Sequence, residues 1–226
     1  MRVNKGRQKM DNSTKRLLEE TSFLVIDFET VTPKGRPPEP IELGLIRISN
    51  AYNIDDKTAR SVFIKPPEGV KLTSFDTYQT GITESDISNA ESSQEVMRRL
   101  DNVCAQKDYV FIAQNAKYEA NILSAHVDNN PNIKKTRFID TILLAKKIIP
   151  GLPNYKLDTI ADILSIKIPK DRHRALPDCI LTAQIFIEML ELCKGKENVK
   201  YLNDLMKIAE IKTKYNQSKQ ISFFDL

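Results

Sequence analysis

With 226 residues, of which 41% are hydrophobic and 28% charged, the chain has the composition of a soluble globular protein; collagenous, wholly disordered and disulfide-scaffold classes are excluded. A length of this order favours one main domain with appendages, able to bury roughly 70% of its unfolded surface without metal or disulfide staples. The balance of 34 Lys+Arg against 30 Asp+Glu leaves a formal charge of +4, too little to hold a polyanion by field strength alone.

In chain order, residues 1–20 are polar and carry Arg2, Lys5, Arg7, Lys9, Lys15 and Arg16 against few acids. A basic arm and a frayed terminus both fit. Phe23-Leu24-Val25-Ile26 is a continuous apolar run too short for a helix, as expected of a strand covered on both faces. Beyond a Pro/Gly loop, residues 41–48 and 61–64 read as second and third strands, and the short links predict an antiparallel meander. Ser92 and Glu95 form a capping box ahead of Val96, Leu100 and Val103, which share one helical face. Residues 109–113 predict a strand, 115–125 a helix and 137–139 a short strand. Asp140 then caps a helix through Ile148. A helix at 157–164 precedes a long one from Pro177, a residue suited to a first helical position, to about Leu192.

Beyond Cys193 the chain is lysine-rich, with one further helix predicted near 199–211, a polar stretch at 216–219 and an apolar end. Three strands followed by strand–helix alternation predict an α/β fold: a mixed sheet whose first three strands are antiparallel, with helices packed on it. The expected organisation is a basic arm at 1–20, a main domain at 21–193, and a helical extension, linker and tail at 194–226. Cys104, Cys179 and Cys193 show no CxxC spacing and read as buried thiols of a reducing compartment. No apolar run approaches the ~20 residues of a membrane span, so a cytoplasmic protein without membrane association is expected.

Two constellations carry chemistry. Asp27 and Glu29 close the first strand, where residues two apart share a face. Carboxylates so close repel unless a cation lies between them, and an all-oxygen donor set suits Mg2+ or Mn2+. A strand ending in solvated acids has the same sequence. Far downstream, His173 precedes the long helix and Asp178 falls in its first turn. An imidazole titrates near neutrality, as a general base for water must; the helix dipole alone also favours an acid there. His126, at the end of the 115–125 helix, reads as structural, and Tyr118 as core or as a base-stacking ring.

In order along the chain, six segments resemble the motifs of the DEDDh 3′-5′ exonuclease superfamily. They are Asp27-Phe28-Glu29-Thr30, Ile41-Glu42-Leu43-Gly44, Gly81-Ile82-Thr83, Asn115-Ala116 with Tyr118-Glu119, Asp140-Thr141 with Tyr155-Lys156-Leu157, and His173-Arg174-Ala175-Leu176 with Asp178. The resemblance runs from about residue 23 to residue 190 and implies a ribonuclease H-like fold. It implies two Mg2+ or Mn2+ ions about 4 Å apart, held by Asp27, Glu29, Glu119 and Asp178, with His173 as the base. Nucleoside 5′-monophosphates would leave one at a time from a single-stranded 3′ end, with Phe28, Thr30 and Asn115 as substrate contacts. DNA is the expected strand, RNA the alternative of the same fold, since the 2′-hydroxyl is sensed by pocket shape. The family places aspartate where this chain has Glu119, and often histidine where Gln114 stands. The extra methylene moves a carboxylate by roughly 1 Å or more, implying a wider or water-mediated ligand, a preference for Mn2+, or an impaired second metal. A non-catalytic module binding a clamp or polymerase is the reading from another class.

The tail Gln220-Ile221-Ser222-Phe223-Phe224 resembles the pentapeptide by which bacterial polymerases and repair proteins bind the sliding clamp. The glutamine amide supplies hydrogen bonds while Ile221, Phe223 and Phe224 enter an apolar cleft. A tail folded onto its own core is the alternative.

Overall fold

The computed structural model describes residues 16–196 and 199–215, so the candidate clamp-binding residues Gln220 to Phe224 lie outside the described residues. The apolar run at 23–26 lies inside β1 (Ser22–Val31), buried on both faces through Ile26. It pairs antiparallel with β2 (Glu39–Ser49), which pairs antiparallel with β3 (Asn53–Lys65), the meander that the short links predict. β3 is far longer than residues 61–64 because along it only Ile64 is buried, so most of the strand carries no apolar signal.

Two short helices, α1 (Ser74–Thr80) and α2 (Glu84–Ile87), then follow, each opened by a threonine whose backbone N–H is accepted by the aspartate three residues on, Asp76 and Asp86. Neither is long enough to show a helical period, and the sequence pattern did not predict them. Next come β4 (Glu91–Ser92), α3 (Ser93–Gln106) with its Ser92–Glu95 capping box, and β5 (Tyr109–Ala113). They lead to α4 (Lys117–Ser124), β6 (Arg137–Asp140) and α5 (Thr141–Ile148), with the Asp140 carboxylate accepting from Ile142 N–H at 2.8 Å. The last elements among the described residues are α6 (Leu157–Ile163), α7 (Ala175–Lys196), α8 (Leu202–Ala209) and β7 (Glu210–Ile211). α7 starts two residues before the predicted Pro177, which sits in the first turn where no backbone N–H is required. The helix predicted near 199–211 is shorter, since Glu210 and Ile211 leave it to pair with β6.

Among the described residues the sheet has seven strands in the order β4-β3-β2-β1-β5-β6-β7, with β1, β5 and β6 parallel. Alternation along β1 sends Phe23 and Val25 into a core shared with α5 to α8, and Leu24, Ile26 and Phe28 into one shared with α3 and α4. An edge-to-face contact of Phe23 on Phe186, 5.1 Å between centroids, ties α7 to the middle of the sheet. The three cysteines are buried, and no helix among the described residues is long and apolar enough to cross a membrane. The parallel strands β1, β5 and β6 end side by side, where open α/β sheets gather their ligand-binding residues.

Candidate active site

Asp27 and Glu29 follow Phe23 and Val25 in the strand alternation and so face α7. What brings α7 close is Gly44, which stands opposite Asp27 in the β1–β2 register. A Cβ built there would lie 2.3 Å from the carbonyl carbon of Ala175 and 2.6 Å from Leu176 N, so the start of α7 rests on bare backbone. Asp178, in the first turn, then meets the strand acids: one carboxylate oxygen from each of Asp27, Glu29 and Asp178 lies within 4.8 Å of the others.

A second contact holds that helix start. Glu42, fully buried and opposite Glu29 in register, accepts from Arg174 Nε at 3.0 Å, Arg174 Nη2 at 2.9 Å and Ala175 N–H at 3.1 Å. Burial alone raises the Glu42 carboxyl, but the hydrogen bonds from Arg174, Ser61 and Ala175 outweigh it and hold the group below its ordinary value. Glu42 is therefore a paired anion with a structural duty, unlike the acids beside it.

Those acids are short of positive charge. Burial pushes Asp27 up to about 7 against the pull of Arg172. Burial and then the Asp27 charge push Glu29 up to about 8. Glu119 is 3% exposed, its Oε2 has no hydrogen-bond partner, and burial followed by the Asp27 charge raises it well above the usual range. Crowded carboxylates in this state fit a site built for divalent cations, whose charge reverses each of these shifts.

Of the expected ligands, then, three form the trio. Glu119 lies within electrostatic reach of Asp27 without being part of that trio. His173 is exposed, with a left-handed backbone (φ 64°), and lines a groove of about 660 Å³ together with Asn115 (φ 62°). Thr30 Oγ1 is 2.6 Å from the Tyr118 hydroxyl. Phe28, expected at the substrate, is 5% exposed in the α3–α4 core because the alternation that aims Asp27 and Glu29 at α7 turns it to the opposite face of the sheet. Gln114, at the family's histidine position, donates to Tyr155 O at 2.9 Å and accepts from Thr141 Oγ1, tying the end of β5 to the loop before α6.

Two residues of the site were not singled out by the sequence pattern. Arg174 was visible only as part of a motif. Arg172 carries no local signal beyond its place next to His173, yet its Nη1 pairs with Asp178 and its Nε donates to Asp158 at 2.6 Å.

The profile of the ribonuclease T-type exonuclease family matches residues 24–186. The chain belongs to that family. This DEDDh-type exonuclease domain is 30% identical over 197 residues to the PolC-type DNA polymerase III of Caldanaerobacter subterraneus subsp. tengcongensis, covering 86% of this chain and 14% of that protein. It thus spans about one-seventh of the PolC-type relative. Among solved structures it resembles the nuclease domain of 3′hExo, a DEDDh family member bound to rAMP (TM-score 0.65, 18% identity, 80% of this chain and 94% of that one). It also resembles exonuclease X in complex with 5′-overhanging duplex DNA (TM-score 0.62, 18% identity, 81% of this chain and 99% of that one). These likenesses confirm the ribonuclease H-like α/β fold, and exonucleases of this family use divalent metal ions.

Proposed function

We propose that the domain is a 3′-5′ exonuclease on single-stranded DNA that releases nucleoside 5′-monophosphates one at a time. The observation that carries this reading is the trio Asp27, Glu29 and Asp178, brought together from distant stretches of the chain, in which burial of Asp27 and Glu29 outweighs the pull of Arg172 on them. Asp27, Glu29 and Asp178, with Glu119 directly or through water, would hold a pair of Mg2+ or Mn2+ ions. When bound, such a pair supplies a water of lowered pKa and neutralises charge at the phosphorus. His173, at the rim, takes the proton of the attacking water. As that oxygen bonds to phosphorus, the bond to the upstream 3′ oxygen breaks, and that oxygen takes a proton from solvent to leave a 3′-hydroxyl on the shortened strand. Thr30 and Asn115 border the place of the terminal nucleotide; Thr30 is oriented by Tyr118.

The test is a 3′-labelled oligonucleotide incubated with Mg2+ or Mn2+, as DNA and as RNA. Mononucleotide release from DNA that disappears in Asp27→Ala supports the assignment. Preference for RNA would reassign the substrate, and no release with either metal would leave a non-catalytic module. For the tail, the match of Gln220, Ile221, Ser222, Phe223 and Phe224 to a clamp-binding pentapeptide supports association with a sliding clamp. Deleting residues 220–226 should abolish clamp pull-down while sparing turnover of short oligonucleotides; unchanged pull-down retires this part.

A further inference from the structure

Arg172 lies where a cation is needed. Its side chain is 16% exposed, its Nη1 pairs with Asp178, and its charge pulls on both Asp27 and Glu29. The chain's own guanidinium therefore already neutralises part of the carboxylate trio. Its outer partner, Asp158, is 52% exposed on α6, and a pair of that kind contributes little.

The same side chain forms part of the wall of the 660 Å³ groove beside the trio, together with Asn115, Lys146, Tyr155, Lys156 and His173. Among the described residues lining this groove Asp158 is the only acid. Two lysines and an arginine in this lining suit a phosphate chain, and the Tyr155 ring, with Lys146 Nζ 5.7 Å from its centroid, lies among them. Arg172 thus stands between the carboxylates of the trio and a groove whose basic lining fits a nucleic-acid phosphate. Like charges a few ångströms apart in a partly buried site repel by several kcal/mol, so a dication bound at Asp178 would weaken its pairing with the Arg172 guanidinium.

Building on the nuclease reading above, we propose that Arg172 alternates between two anions. It pairs with Asp178 while the carboxylates lack divalent cations, and it turns into the adjoining groove to pair with a phosphate of the single strand once they are loaded. Arg172 is then a strand-binding residue that also prevents the empty acids from repelling one another.

The signature is a pair of effects opposite in sign, which a purely structural arginine does not produce. With Arg172→Gln in the full chain, Mg2+ affinity without nucleic acid is read by titration calorimetry. Strand affinity is read by anisotropy of a 5′-fluorescein dT8 with a terminal phosphorothioate, in saturating Ca2+. The expected result is tenfold or more tighter Mg2+ and fivefold or more weaker dT8. Weakening of both, or an unchanged Mg2+ affinity, overturns the inference and leaves the nuclease reading intact; no Mg2+ binding by either protein overturns both. Because losing the Asp178 pairing threatens the fold, the wild-type protein carries a second test. The assigned Arg172 Nε–H resonance should shift on Mg2+ addition and again on adding dT8, and a resonance that ignores both refutes the exchange.

Discussion

Replacing Gly44 by alanine tests how sheet and long helix together build the site. In an ordinary strand the change favours folding, because glycine costs roughly 0.5–1 kcal/mol relative to alanine. Here the new methyl would lie 2.3 Å from the Ala175 carbonyl carbon, 2.4 Å from its oxygen and 2.6 Å from Leu176 N. All three are backbone atoms and none can rotate away. Relieving the closest contact to ordinary van der Waals distance lifts the start of α7 by about 1 Å. That movement stretches the 3.1 Å bond from Ala175 N–H to buried Glu42 and carries Asp178 away from Asp27. Overpacking of this kind costs about 1–3 kcal/mol, which lowers the melting temperature by roughly 2–4 °C for each kcal/mol in a domain of this size. The chemical cost is larger, since a misplacement of about 1 Å is worth on the order of 10²-fold in rate. Thermal melting and single-turnover hydrolysis of a short oligonucleotide measure the two losses separately. A Gly44→Ala protein that melts at or above wild type and cleaves at the wild-type rate refutes the account.

Three further outcomes follow from the same geometry. Folded-state values of about 7 for Asp27 and about 8 for Glu29 lie above the ordinary 3.8 and 4.5, so the folded, metal-free protein holds protons the unfolded chain has released. Its stability therefore falls as pH rises from about 4 to 8, and Mg2+ restores it most at the upper end; melts in EDTA and in Mg2+ at pH 5 and 8 check this, and a rise in EDTA contradicts it. Arg174→Gln leaves Glu42, with 1% of its side chain exposed, without its main partner and should cost about 3 kcal/mol in urea unfolding, whereas Arg174→Lys, which keeps a charge but not the two-pronged contact, should cost less. Glu119→Asp should keep or raise the Mg2+-dependent rate if Glu119 is a ligand, and complete loss of turnover would remove it from the metal site.

The elements most legible in the sequence are those whose signal is local. Ser92 with Glu95 marks the start of α3, Asp140 that of α5, and the wholly apolar stretch 109–113 is β5 to the residue. Where a strand buries almost nothing, as β3 does, or a helix is a single turn or two, as α1 and α2 are, periodicity has nothing to register. The same division holds in the site. Asp27 and Glu29 announce themselves as a same-face pair, and Asp178 as an acid at a helix start. Phe28 lies between two site residues in sequence, yet strand alternation assigns it to the opposite core. Arg172 is harder still, because its partners Asp158 and Asp178 are reached only through the fold.

The residues that place the acids differ from the acids themselves, and this bears on how a departure such as Glu119 is weighed. Gly44 admits the start of α7, and Glu42 clamps it through Arg174 and Ala175 N–H. Both act on residues 174–176, so the distance from Asp178 to Asp27 is set on β2. A chain could keep all four acids and the histidine and still lose turnover through one methyl at Gly44. Conversely, an altered carboxylate such as Glu119 can remain functional if this clamp keeps Asp178 in register, because a longer side chain has an extra torsion with which to adjust where a displaced helix has none. Under the proposed function, activity is expected to depend more tightly on the β2–α7 contact than on the identity of the acid at position 119. The paired comparison of Gly44→Ala with Glu119→Asp decides the point: the first should lose more activity than the second, and the reverse order would place the control back with the carboxylates.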